Sequence, residues 1–93
     1  MKKYKIWLGE SAPVDQFKHV LSLFERLGYK ADTKWNKLVF EKMIFDCVYT
    51  YVNGGCDIHF QPTQFKEKID RVEITLPELE SLVTEFEQNK SLW

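Results

Sequence analysis

The residues of this 93-residue chain that could do chemistry are two cysteines, two histidines and a short acidic and aromatic stretch between Asp46 and His59. Asp57 and His59 fall on one face of a strand by alternation, with Asp46 on the same face, and a carboxylate beside an imidazole is the raw material of an acid–base pair. Side chains two apart on a strand stand about 7 Å apart, too far for a direct hydrogen bond. The serines that could act as nucleophiles, Ser11, Ser22, Ser81 and Ser91, lie elsewhere in the sequence. No catalytic residue is assigned, and no enzymatic activity is expected. Cys47 and Cys56 form no CxxC, and the histidines form no HxH or HExxH, so neither a metal site nor a redox site is expected. No cofactor is expected either: Gly54-Gly55 reads as a turn, without the GxGxxG or GxxxxGK spacing of a phosphate loop.

The aromatic candidates are Trp7 and Trp35. Trp35 stands among Lys30, Lys34 and Lys37, where a ring between ammonium groups can stack a base while the lysines meet phosphate. The competing reading packs Trp35 on the edge of the core.

Several function classes fall away on composition. Hydrophobic residues make up 44% and charged residues 29% of the chain, a globular balance, and fourteen aromatic side chains can fill a core. One domain over residues 1–93 is expected. No apolar run is long enough to span a membrane, and Lys2 and Lys3 precede no signal-peptide core, so a cytoplasmic protein is expected. The net charge of −1 is uneven, +4 over residues 1–42 and −5 over residues 43–93, with glutamates concentrated near the C-terminus. Such a helix repels phosphate, which argues against a nucleic-acid module.

The elements that must position these residues can be traced by periodicity. Tyr4, Ile6 and Leu8 alternate with Lys5 and Trp7 as a first strand. Val14, Phe17, Val20, Leu21, Phe24 and Leu27 form a helical stripe, with Ser11 or Asp15 as its cap and Gly28 as its left-handed stop. Residues 29–34 read as a weak strand, residues 34–37 as a turn, and residues 38–52 as one bent strand or two. Val72, Ile74 and Leu76 mark a last strand. Thr75 and Glu78 then form a capping box, with Pro77 in the first turn of the final helix.

Asn53-Gly54 is the strongest hairpin signal. A two-residue turn there would pair Tyr51 with Cys56, Tyr49 with Ile58 and Cys47 with Phe60, gathering the large apolar residues on one face. A three-residue turn would mix polar and apolar groups on both faces, so the two-residue register is preferred. It places Cys47 and Cys56 on the core side, roughly 13 Å apart along the strands, and therefore as free thiols. It turns Ile44, Val48, Thr50, Val52, Asp57 and His59 outward, so that Val48→Lys should leave the fold intact. The expected fold is a two-layer α+β domain, a small antiparallel-rich sheet with two helices on one face, in the order β-α-β-β-β(-β)-α. Its uncovered sheet face is the expected contact for a partner or a second copy.

The opening Tyr4-Lys5-Ile6-Trp7, the helix end Phe24-Glu25-Arg26-Leu27-Gly28-Tyr29 and the tail Glu73-Ile74-Thr75-Leu76-Pro77-Glu78-Leu79 resemble small proteins encoded by tailed bacteriophages; the hairpin between Val48 and Phe60 is similarly placed. The resemblance implies no catalytic residues. It implies a setting in the host cytoplasm, where such proteins bind host machinery or host-defence components. The expected function is thus a small non-enzymatic binding protein acting by stoichiometric association, with Trp7, Lys34, Trp35, Lys37, Val48, Thr50, Asp57 and His59 as candidate contacts. The alternatives are a sponge for a small nucleotide signal, through Trp35, Lys34, Lys37 and His59, and a nucleic-acid-binding module.

Overall fold

In the computed structural model, which describes residues 2–9, 11–43, 45–59 and 71–91 (the side chain of Ser91 excepted), three helices lie on one face of a five-stranded mixed sheet. The elements are β1 (Tyr4–Trp7), α1 (Val14–Arg26), β2 (Lys30–Ala31), α2 (Thr33–Lys42), β3 (Cys47–Thr50), β4 (Gly55–His59), β5 (Val72–Ile74) and α3 (Leu76–Ser91). The sheet order is β2-β4-β3-β1-β5. β3 pairs antiparallel with β1 and β4, while β2 runs parallel to β4 and β5 parallel to β1. β3 therefore runs against all the others. Among the described residues, no helix is long and apolar enough to cross a membrane.

The α+β class is as expected, and the extra helix is the main departure from it. Residues 34–37 are not a turn, and residues 38–42 are not strand. Asp32 caps α2 by accepting the Trp35 N–H at 3.0 Å, and Met43 closes the helix in the left-handed region at φ 55°. Trp35, Asn36, Val39 and Phe40 then recur at helical spacing toward the core. Their aromatic and β-branched character imitates a strand, but the cap and the period decide for the helix.

α1 starts without the expected side-chain cap. Its N-cap is Pro13, and Asp15 sits in the first turn, where it complements the helix dipole instead of capping. Its other end closes as a Schellman motif: Tyr29 N donates to Phe24 O and Gly28 N to Glu25 O, with Gly28 at φ 103°. The accompanying apolar contact is the Phe24–Tyr29 ring pair, edge to face at 5.6 Å. The capping box of α3 forms as read from the sequence. Thr75 Oγ1 accepts the Glu78 N–H at 3.3 Å, and Thr75 N donates to Glu78 Oε1 at 3.1 Å.

The hairpin takes the other register. Thr50 pairs with Cys56, Tyr49 with Asp57, Val48 with Ile58 and Cys47 with His59, so three residues, Val52-Asn53-Gly54, make the connection. Tyr51 N donates to Gly55 O, Gly54 N to Tyr51 O, and Gly54 adopts φ 89°. Asn53 Oδ1 also takes the Gly55 N–H at 3.1 Å. This register sends Val48, Cys56 and Ile58 into the helix-covered core with Ile6 and Ile74. Cys47 and Tyr49 form a second, smaller cluster with Trp7 and Tyr51 on the opposite face. The expectation of a single apolar face fails because both faces bury large side chains, the outer one by bonding its tyrosine hydroxyls. Val48 and Thr50 are therefore interior, each 0% exposed, and not outward-facing. The two thiols are free, as expected, but they lie on opposite faces of the sheet and not together on the core side.

Candidate functional site

Of the expected contacts, Val48 packs in the core, and Thr50 is tied up by the start of β1, its Oγ1 accepting the Tyr4 N–H at 2.7 Å. Neither is available to a partner. Val52 lies exposed at the hairpin tip, while Ile44, Phe60 and the loop at 61–70 fall outside the described residues.

Asp57 and His59 do share the outer face of the sheet, but not as a dyad. The carboxylate of Asp57, 7% exposed, accepts the Asp32 N–H at 3.2 Å and a hydrogen bond from Tyr51. Burial raises its pKa above the ordinary carboxylate value, against the pull of the Asp32 N–H. His59 instead meets the edge of the Tyr49 ring at 5.9 Å. Tyr49 and Tyr51 hydrogen-bond through their hydroxyls, and burial raises the pKa of both. The Arg71 guanidinium lies over the two rings at 5.0 and 5.5 Å while its Nε donates to Thr50 O at 2.6 Å. Trp7, half-buried, packs on the same cluster. This network fastens the hairpin to β1 and β2. Burial also pushes each thiol up to about 12, which keeps Cys47 and Cys56 protonated and unreactive near neutrality. Among the described residues, no three His, Cys, Asp or Glu side chains gather as metal ligands.

The Trp35 region is helical, and its residues diverge. The Trp35 indole is half-buried against the core and donates through Nε1 to Ile58 O at 2.9 Å. Next to it, Asn36 Oδ1 accepts the Ile58 N–H at 2.8 Å. β2 spans only two residues, so these two side chains complete the edge of β4 where the backbone ladder stops. Trp35 is committed to that task, Lys34 and Lys37 are exposed on α2, and His59 lies on the other side of the sheet. The four residues of the nucleotide reading do not converge.

The surface feature that periodicity missed is a groove of about 610 Å³ between α1 and α2. Its apolar lining includes Val14, Leu21, Ala31 and Phe40, and Lys18, Lys37, Glu25 and Glu41 stand along it. Lys18 Nζ sits 5.7 Å from the centre of the Phe40 ring. Phe40 also meets Phe45, which meets Phe17, so the end of α2 lies beside the first turns of α1. Two smaller grooves of partly apolar lining also border α3. One includes Tyr4, Pro77 and Leu82 beside Glu78 and Glu85; the other, next to Tyr29, includes Leu27 and Phe86. Reading residues 33–42 as turn and strand hid the main groove. The signal that reveals it is Asp32 as cap, three residues before Trp35. No protein-family model matches the chain, and no curated protein or solved structure shows significant similarity to it.

Proposed function

We propose that the protein acts by stoichiometric association with another protein and not by turnover, and that the α1–α2 groove is its receptive surface. One observation carries this reading: among the described residues, both cysteines, Asp57 and the tyrosine pair are committed to the fold, whereas the groove is accessible and has an apolar floor edged by charges. Cys47 and Cys56 are buried and protonated, and Asp57, Tyr49 and Tyr51 bond to one another and to the backbone of Asp32. The groove, in contrast, offers a volume within the range that protein ligand sites occupy, about 300–1,000 Å³. A host or host-defence protein is the class of partner implied by the resemblance to small phage proteins. The sequestration of a nucleotide loses support, because the one tryptophan among the lysines is turned to the core.

Native mass spectrometry of the protein recovered from its own host tests this reading. A second, different polypeptide held in a fixed ratio is the expected result. Recovery as the free chain, or only as a complex of the chain with itself, would overturn it.

A further inference from the structure

α2 is attached to the rest of the protein differently from α1. α1 buries Phe17, Val20, Leu21, Leu23 and Phe24, whereas α2 buries only Asn36 and Val39 and leaves Leu38 and Met43 exposed. Trp35 and Phe40 pack on the core from partly buried positions. Three hydrogen bonds clip α2 and its cap to the sheet, and all three end on two consecutive residues of β4. Asp57 Oδ1 accepts the Asp32 N–H at 3.2 Å, Ile58 O accepts from Trp35 Nε1 at 2.9 Å, and Ile58 N donates to Asn36 Oδ1 at 2.8 Å. Two features of this closed arrangement are unfavourable. Asn36 Nδ2 is buried without an acceptor among the described residues, and Met43, a residue with a Cβ, is held at φ 55°. Both are relieved when α2 swings away, because water then reaches the amide and Met43 returns to negative φ.

We infer that α2 is a hinged cover on the edge of β4, opening as a unit between Asp32 and Met43 while the sheet, α1 and α3 stay folded. Closed, it supplies through Trp35 and Asn36 the donor and the acceptor that a neighbouring strand would supply. Open, it frees the Ile58 N–H and C=O on an edge where β2 pairs only with Gly55 and Cys56. The cover is thus an autoinhibitory contact against the addition of an extended strand at β4. This movement does not depend on which surface meets a partner.

The test is native-state hydrogen exchange of the ¹⁵N-labelled protein, followed by its amide resonances at increasing denaturant. The amides of residues 37–43 and of Ile58 should share one protection level, lower than that of Leu21, Leu23 and Phe24 in α1, and a weaker dependence on denaturant. Trp35→Phe keeps a ring and removes Nε1. It should speed exchange at Ile58 and at residues 37–43 by the same factor, roughly threefold to tenfold, the range for one hydrogen bond. Protection of α2 and Ile58 equal to that of α1, with the same denaturant dependence, would show that α2 leaves only on global unfolding and would overturn the cover. Exchange at Ile58 unrelated to that of α2, or protection graded from the ends of α2 to its middle, would overturn opening as a unit.

Discussion

At the scale of single residues, burial decides what the titratable groups can do. A thiol reacts as its thiolate, and one pushed up to about 12 holds almost none at pH 8. Cys47 and Cys56 should therefore resist a disulfide reagent in the native protein, and two equivalents should react after denaturation. Rapid labelling of the folded chain would contradict their burial. Asp57 gives a pH signature with a definite sign. Its folded pKa lies above its ordinary value of 3.8, so its contribution to stability is fullest below 3.8 and is lost as the pH rises through the raised folded value. Asp57→Asn keeps an acceptor for the Asp32 N–H and cannot ionise. Chemical denaturation across this range should find the variant gaining on the native chain as the pH rises toward neutrality. A constant difference would place Asp57 in water.

Caps and periods at the scale of elements account for most of what was legible in the sequence. β1, the stripe of α1, the Gly28 stop and the start of α3 were all readable, because each rests on local chemistry: alternation, helical spacing, a residue free to take positive φ, or a reciprocal side-chain bond. Thr75→Ala removes the acceptor for the Glu78 N–H and should cost about 1 kcal/mol in denaturant unfolding. A change within error would mean that α3 begins elsewhere. What was not legible depended on tertiary context. The composition of α2 resembles a strand, and its helical state is fixed by Asp32 and by Trp35 and Asn36 reaching the unpaired edge of β4 at Ile58. The hairpin register could not be read from a one-faced pattern, because Arg71 and the tyrosine pair allow the second face to bury Cys47 and Tyr49. Val48→Lys follows from the observed register. An unpaired ammonium at a site with 0% exposure costs on the order of the whole stability of a small domain, so the variant should lose its folded circular dichroism spectrum. A native spectrum would restore the other register.

For the whole molecule, the consequence of the slipped hairpin and the added helix is a transfer of the accessible surface. The sheet face expected to meet a partner carries Cys47, Tyr49 and Asp57 in buried positions, and the helical side instead opens a groove between α1 and α2. The candidate site was half legible. Lys37 was named on its sequence neighbourhood, but its companions Lys18, Asn36 and Phe40 come together only once α2 is a helix lying beside α1. The central claim is that association runs through this groove, and the charge-reversed variant Lys18→Glu/Lys37→Glu tests it most directly. Both side chains are exposed, so the fold should persist, as circular dichroism can check. Native mass spectrometry of this variant and of the unaltered chain, each recovered from the host, should find the second polypeptide with the unaltered chain and not with the variant. The same complex in equal yield from both would contradict the account.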